Sequence, residues 1–238
     1  MSLKMQAKSG DVLDIWIYDE IGGFGVTAKD FVESLKGHTN AKTINVHINS
    51  PGGDVFDGIS IYNTLKKHSA KVITEIDGAC LSIASIIALA GDEVKMASNA
   101  LYMIHNPWAM AVGDAKEMRD MATRLDIVRD SLVSTYKDRI KDHADIDTII
   151  SWLDNETWFT ASEAKENGFV DEVTNELEMA AKFDLGKFHY KNIPKQEEKS
   201  EVVKQFSADN SSAIRDRLAK MKIQVQKNRL NSNAVTTA

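Results

Sequence analysis

The chain has 238 residues, of which 43% are hydrophobic, a formal net charge of −6 at pH 7 and a single cysteine. That length fits one globular domain with a sizeable core and a modest extension. This acidic balance gives no electrostatic footprint of a protein that binds nucleic acid or anionic membranes. No apolar run reaches the roughly 18 residues that a membrane span needs, and the polar start lacks the apolar core of a secretory signal. The lone Cys80 excludes an intrachain disulfide framework and fits a reducing cytoplasm.

Predicted strands and helices alternate in the first part of the chain. Residues 12–18 mix β-branched and aromatic side chains and predict a strand. Thr27 predicts the N-cap of a short helix, and residues 43–49 predict the next strand. Residues 54–68 place apolar side chains at helical spacing, and residues 71–76 predict a further strand.

The alternation continues to about residue 173. A nearly all-apolar helix is predicted over residues 81–90, followed by a strand near residues 101–104. A long amphipathic helix begins with a capping box formed by Asp114 and Glu117. A further capped helix starts at Thr160 and leads into a last short strand. Strands alternating with helices at this density predict an α/β fold with largely parallel pairing.

The composition changes after about residue 182. Residues 187–210 are rich in Lys, Glu, Gln and Asn, and residues 212–230 predict a basic helix. The last eight residues are polar and expected to be disordered. We therefore expect a folded domain at 1–182 and a polar, partly helical or disordered C-terminal tail at 183–238.

Ser82 is the first residue that could carry chemistry. It follows a strand and turn, and it lies at the N-terminal end of the apolar helix. A hydroxyl at a helix N-terminus lies in a positive field that favours developing negative charge. Serine is also a common N-cap residue, so this position alone does not distinguish a nucleophile from a cap. Cys80 is only a remote alternative nucleophile. A cysteine in such a setting is more commonly a small buried side chain that takes no part in catalysis.

A pair of glycines and a histidine are the other residues that could take part in catalysis. Gly52 and Gly53 follow a strand, where they form either a tight turn or one half of an oxyanion hole. His105 ends an apolar strand and precedes Asn-Pro, which suits either a general base or a structural histidine. No histidine, cysteine or aspartate cluster has the spacing of a metal site.

A serine nucleophile with a histidine base also needs an acid that orients the imidazole. Asp154 is the favoured candidate, because Trp158 and Phe159 would bury its neighbourhood. Spacing alone does not rank it above its competitors. These are Asp147, Glu156 and Asp171.

Taken together, INSPGG, GACLSIAS and MIHNP resemble the proteolytic subunit of Clp protease in their order and spacing. The chain is still more similar to Clp-like head-maturation proteases of phages and prophages. The shared segments are IWIY, GGFGVTAKDF, INSPGGDVFDGISIYN, IHNPW and D-x-ETW. This resemblance covers roughly residues 11–173.

The resemblance implies a serine endopeptidase with a triad of Ser82, His105 and Asp154. The backbone N–H groups of Gly53 and Ile83 would form its oxyanion hole. It also implies a Clp/crotonase-like spiral of β-β-α units with a long amphipathic oligomerisation helix. The expected assembly is a cytoplasmic homo-oligomeric ring, heptameric or stacked, that cleaves proteins or peptides such as a phage scaffold or capsid protein. No metal, organic cofactor, nucleic acid or membrane is expected, and dependence on an ATP-dependent unfoldase is left open.

Some residues depart from the family pattern, and other functions stay open. Cys80, Leu81 and Ile83 are bulkier than the small residues usual beside the nucleophile, so the width of the substrate pocket is not determined. Crotonase enzymes share the fold but need no Ser–His pair, and relatives of signal peptide peptidase A use a lysine base outside the cytoplasm. A catalytically silent ring subunit or scaffold component is the alternative from another functional class.

Overall fold

The computed structural model of the chain describes residues 3–8, 11–177, 188 and 190–194. Within these residues the strands are β1 (Leu3–Lys8), β2 (Val12–Ile17), β3 (Thr43–Ser50), β4 (Lys71–Leu81), β5 (Glu93–Ala97), β6 (Leu101–Ile104), β7 (Thr157–Thr160) and β8 (Glu172–Thr174). The α-helices of the same part are α1 (Ala28–Leu35), α2 (Val55–Lys66), α3 (Ile83–Ala88), α4 (Ala115–Ile140), α5 (Ile146–Asp154) and α6 (Ala161–Glu166). The predicted α/β class is confirmed, with a central sheet and a long helix α4.

The sheet is mostly parallel and branches at β4. Its main path runs β1-β2-β3-β4-β5-β8, and only the β1–β2 pair on this path is antiparallel. Residues 73–76 of β4 pair with β5, whereas residues 79–81 pair with β6, and β6 continues to β7 in an antiparallel pair. The C-terminal end of β4 therefore pairs with a different strand from the one that its earlier residues pair with. Ser82 directly follows that C-terminal end.

The core lies between this sheet and the helices that cover it. Residues 43–48 of β3 alternate between half-buried and buried, as expected for a strand with one face on the core, and the strand ends in three buried residues. In α1, the buried residues are Phe31 and Leu35, which lie four residues apart and so share one face of the helix. All six residues of α3 are buried, which explains the absence of polar side chains other than Ser85 from this helix.

The predicted helix starts are confirmed. Thr27 caps α1, Asp114 and Glu117 form a capping box on α4, and Thr160 caps α6 through Glu163. Other parts of the prediction differ from the structure, and β5, α5 and β7 were not predicted. Leu81, predicted to begin the apolar helix, is the last residue of β4, and the polar sequence of β1 predicted no strand at all.

The described residues up to Ile193 belong to one compact unit, Met1–Ile193. The predicted boundary near residue 182 and the predicted basic helix at 212–230 lie outside the described residues. No helix in the described part of the chain combines the length and the apolar character needed to cross a bilayer.

Candidate active site

Ser82 occupies a sharp turn between β4 and α3. Its φ of 54° and ψ of −129° are unusual for a residue other than glycine, and such backbone strain persists only where neighbouring contacts impose it. Its N–H donates to Met103 O at 2.9 Å, and its carbonyl accepts from the N–H and hydroxyl of Ser85 at 2.9 and 2.5 Å. The Ser82 side chain does not cap α3. The turn therefore leaves the hydroxyl available for another partner.

That partner is His105. The Ser82 hydroxyl lies 2.8 Å from Nε2 of His105, within hydrogen-bond distance. The two residues meet because Leu81 pairs with Met103 in the parallel β4–β6 ladder, so both strands end at the same edge. The His105 side chain is 11% exposed, and this burial lowers its pKa below the ordinary value of 6.5, although the charge of Glu156 opposes the effect. At neutral pH the imidazole is therefore neutral and able to accept a proton.

The carboxylate beside His105 belongs to Glu156. Its Oε2 lies 3.7 Å from Nδ1 of His105, and its side chain is only 5% exposed. Ile104 pairs with Thr157 in the antiparallel β6–β7 ladder, so His105 and Glu156 continue that ladder by one residue on each strand. Glu156 has a φ of 47° and donates its N–H to Leu153 O at 3.2 Å. This turn after α5 directs its side chain towards the imidazole.

The structure does not bring Asp154 to His105. Oδ1 of Asp154 instead accepts from Nδ2 of Asn106 at 2.6 Å, on the exposed side of the turn. Asp171 is held elsewhere by Arg139 at 2.6 Å. Among the described carboxylates proposed from the sequence, the one paired with the imidazole is Glu156, which the sequence left as an unranked competitor.

The glycine turn lies directly against the nucleophile. A Cβ on Gly52, which has a φ of 89°, would lie 2.6 Å from Leu81 O and 2.7 Å from Cβ of Ser82. The Gly52 carbonyl accepts from the N–H of Ile21, and the N–H of Asp54 donates to the carbonyl of Ile21. Because these two contacts face Ile21, the N–H of Gly53 between them faces the opposite way.

The bulky residues around Ser82 are buried, and Cys80 and Ile83 belong to the hydrophobic core. Cys80 and Leu81 are fully buried, and Ile83 is 2% exposed. Ile83 packs on Gly58 of α2, where an added Cβ would lie 2.2 Å from Cγ1 of Ile83. Gly58 thus makes room for the residue that follows the nucleophile. Sequence reasoning missed this role, because a glycine within a helix is compatible with several explanations.

A buried hydrogen-bond network links the turn at Ser82 to the long helix. Because the Ser85 hydroxyl donates to Ser82 O, the Tyr136 hydroxyl of α4 donates to Ser85 Oγ at 2.7 Å. The hydroxyl of Tyr102 donates to Ser85 O at 3.0 Å. Ser85 therefore connects the nucleophile turn with both β6 and α4.

A short segment beyond the predicted domain also contacts the site. The Tyr190 ring lies edge-on to His105 and Trp158, with centroid distances of 5.7 and 5.6 Å, and its hydroxyl donates to Pro51 O. The N–H groups of Lys191 and Asn192 donate to Oε1 of Glu156. Sequence analysis assigned these residues to the polar C-terminal tail at 183–238, whose role it left open.

One group of side chains in the described residues has the composition of a metal site. His47, Glu75 and Asp77 each offer a ligand atom, all within 4.8 Å of one another. These groups already have protein partners, since Nδ1 of His47 lies 3.1 Å from Asp77, and the Tyr18 hydroxyl donates to Asp77 at 2.5 Å. None of the four belongs to the contacts described around Ser82.

Comparison with known proteins identifies relatives over most of the described chain. The sequence model of the family described as Clp protease matches residues 26–177. The ATP-dependent Clp protease proteolytic subunit of Bacteroides thetaiotaomicron is 36% identical over 134 residues, covering 56% of this chain and 60% of the relative. The subunit of the same name from Bacteroides fragilis is 35% identical over 136 residues, covering 56% and 64%. Subunit 1 of Salinibacter ruber is 30% identical over 162 residues, covering 67% of each chain. The chain thus matches less than two thirds of the length of the two Bacteroides relatives.

Proposed function

This chain belongs to the Clp protease family, and we propose that it is a serine-type endopeptidase with Ser82 as nucleophile and His105 as general base. The observation that carries the proposal is the 2.8 Å contact between the Ser82 hydroxyl and Nε2 of His105. A serine hydroxyl within hydrogen-bond reach of a neutral imidazole is the arrangement expected of an activated nucleophile.

In the proposed reaction, His105 takes the proton of Ser82 as the hydroxyl attacks the scissile carbonyl. The serine oxygen then forms an ester with the acyl part of the substrate, and His105 gives the proton to the leaving amine. Water, activated by the same imidazole, hydrolyses the ester and restores Ser82.

Glu156 is the proposed acid of the triad, in place of Asp154. Its carboxylate faces Nδ1, so it favours the tautomer with the proton on Nδ1 and leaves Nε2 free to accept. It also stabilises the imidazolium that forms when Ser82 loses its proton. The 3.7 Å separation is long for a hydrogen bond, and such contacts shorten in the reacting complex.

The N–H groups of Gly53 and Ile83 are the proposed oxyanion hole. Two features support this assignment. The Gly53 N–H faces away from Ile21, and the Gly52 backbone lies against Ser82, where an added Cβ would be 3.2 Å from the Ile83 nitrogen. Two convergent backbone donors beside the nucleophile would stabilise the tetrahedral intermediate.

We further propose that the chain assembles into a homo-oligomeric ring, heptameric or stacked, through α4. The apolar residues in the first half of this helix are not buried within the chain. Met118 is 37% exposed and Ile127 is 65% exposed, whereas Leu132, Tyr136 and Ile140 in the second half are buried. Such an apolar surface is typical of a contact with another subunit. A monomeric sedimentation profile at micromolar concentration would count against the ring.

The phage head-maturation type and a capsid or scaffold protein as substrate are proposed from the shared motifs GGFGVTAKDF and D-x-ETW. Incubation of the purified protein with a phage scaffold protein, followed by mass spectrometry of the fragments, tests this assignment. Cleavage by wild type but not by Ser82→Ala would support it, and an intact scaffold protein would oppose it.

Labelling with a fluorophosphonate probe tests the enzymatic proposal. We expect stoichiometric modification of Ser82, identified by peptide mapping, and its loss in His105→Ala. Labelling of another residue, or equal labelling of Ser82 without His105, would refute the proposed roles. A fluorogenic peptide assay of Ser82→Ala then links the labelled residue to turnover.

A further inference from the structure

The segment of residues 190–192 lies on the candidate active site, although its composition belongs to the polar region that follows the domain. It contacts both sides of the site. Tyr190 bonds to the glycine turn through Pro51 O, its ring covers one edge of His105, and Asn192 donates from Nδ2 to Asn155 O at 2.6 Å. The segment is thus attached both to the nucleophile side and to the acid side of the site.

Its strongest contacts are to the carboxylate of Glu156. Oε1 accepts from the N–H of Lys191 at 2.6 Å, from the N–H of Asn192 at 2.7 Å and from Nε1 of Trp158 at 3.3 Å. Two of these three donors belong to the 190–192 segment. Hydrogen bonds to an ionised acceptor are roughly twice as strong as those between neutral groups.

The two carboxylate oxygens of Glu156 therefore have different partners. Oε1 is occupied by the three donors, and Oε2 faces Nδ1 of His105 at 3.7 Å. A carboxylate that is only 5% exposed is costly unless its oxygens are hydrogen bonded. Without the two main-chain donors, Glu156 would lose two of the three hydrogen bonds that fix the position of Oε1.

We propose that the 190–192 segment is a positioning element of the active site, whose main-chain N–H groups hold Glu156 in the orientation that presents Oε2 to His105. This inference rests on the proposed function of Ser82, His105 and Glu156. The segment acts through Glu156, and Tyr190 anchors it by bonding to Pro51 and packing against Trp158.

Proline substitution tests the N–H groups, because proline removes the donor from the backbone. In the full chain, Asn192→Pro removes the donor, whereas Asn192→Ala keeps it and removes only the side chain. We expect the rate constant for fluorophosphonate modification of Ser82 to be about tenfold lower in Asn192→Pro than in Asn192→Ala, the effect of losing one bond to a charged group. Ile193→Pro, which places the same ring one residue later, is expected to keep the wild-type rate.

A double-mutant cycle then separates a positioning role from a general structural role. In a Glu156→Ala background the carboxylate is absent, so Asn192→Pro and Asn192→Ala are expected to react at the same rate. A tenfold difference that persists without Glu156 would overturn the inference, as would equal rates in the wild-type background. If Asn192→Pro melts early, the pair Lys191→Pro and Lys191→Ala tests the second donor in the same way.

The outcomes distinguish this inference from the function on which it rests. Absence of Ser82 modification in the wild-type protein would overturn both. Normal modification that depends on His105, together with equal rates for the proline and alanine variants, would overturn the positioning role alone.

Discussion

Oε2 of Glu156 lies 3.7 Å from Nδ1 of His105, and the two residues are opposite each other at the end of the antiparallel β6–β7 pair. A ladder of backbone hydrogen bonds therefore sets the distance between the proposed base and acid. Ser82 follows β4, which pairs with the edge of β6 opposite to β7. The three side chains thus come from three neighbouring strands, and the spacing between them depends on strand register.

Glu156→Gln is predicted to reduce peptide hydrolysis by on the order of 10³- to 10⁴-fold, the effect of replacing a triad acid by its amide. The amide cannot stabilise the imidazolium, and its NH₂ group could face Nδ1 and favour the wrong tautomer. The measurement is kcat for a fluorogenic peptide, together with the rate of Ser82 labelling.

The matched control is Asp154→Asn, two residues earlier. Asp154 contacts Asn106 rather than His105, so we expect its amide variant to retain activity within about tenfold of wild type. A larger loss in Asp154→Asn than in Glu156→Gln would restore Asp154 as the acid.

The pH dependence of labelling follows from the burial of His105. Burial lowers the pKa of His105, Lys191 lowers it further, and Glu156 partly opposes both. Only the neutral imidazole accepts the serine proton, so the rate falls as pH falls through this pKa. We expect the acid limb of the rate profile to have its midpoint below 6.5.

Glu156→Gln should move that midpoint still lower, because it removes the negative charge that raises the pKa of His105. The comparison uses labelling rates for both proteins from pH 4 upwards. A midpoint above 6.5 in wild type, or an upward shift in the variant, would contradict the proposed electrostatics.

Local sequence signals predicted the fold class and placed Ser82, His105 and the glycine turn at strand ends, whereas their proposed roles came only from the family resemblance. Each lies at the end of an apolar strand, and Gly52 occupies a backbone conformation with positive φ that favours glycine. The pairing of Glu156 with His105, rather than the favoured Asp154, has a physical reason. It depends on the register of β6 against β7, and residue spacing along the chain does not encode that register.

The contribution of the 190–192 segment had no sequence signal. Lys191 and Asn192 contact Glu156 through backbone N–H groups, which every residue except proline carries. Only Tyr190, an aromatic residue in a polar stretch, distinguishes the segment from its surroundings. Composition therefore predicts that the domain ends near residue 182, whereas the contacts with Glu156 extend to Asn192.

Gly52→Ala is predicted to reduce Ser82 labelling by more than roughly tenfold while leaving the fold intact. The added methyl would lie 2.7 Å from Cβ of Ser82 and 2.6 Å from Leu81 O, so the nucleophile turn must shift. The positive φ of 89° adds about 1–3 kcal/mol of backbone strain.

Gly23→Ala is the control for this variant. An added Cβ at Gly23 meets nothing within 4 Å among the described residues, so the substitution should leave the labelling rate unchanged. Circular dichroism of both variants separates a displaced nucleophile from unfolding. Wild-type labelling of Gly52→Ala would show that the two turns are not in contact.

Cys80 is predicted to be unreactive in the native protein. It is fully buried, and burial raises the pKa of its thiol well above the ordinary value, so little thiolate exists at neutral pH. We expect iodoacetamide to modify Cys80 only after denaturation, as measured by intact mass. Rapid alkylation of the native protein with loss of activity would revive the thiol as a nucleophile.

Ser85→Ala is predicted to destabilise the protein by about 1–3 kcal/mol and to lower the rate of Ser82 labelling. The substitution removes the hydroxyl that bonds to Ser82 O and leaves the buried Tyr136 hydroxyl without its acceptor. Tyr136→Phe removes the other end of the same network but keeps the Ser85–Ser82 contact. We therefore expect the two variants to lose a similar amount of stability. The rate of Ser82 labelling should fall less in Tyr136→Phe than in Ser85→Ala. Urea denaturation and labelling kinetics measure the two effects separately. Equal labelling losses in both variants would indicate that the position of α4, rather than the Ser85 contact, controls the nucleophile turn.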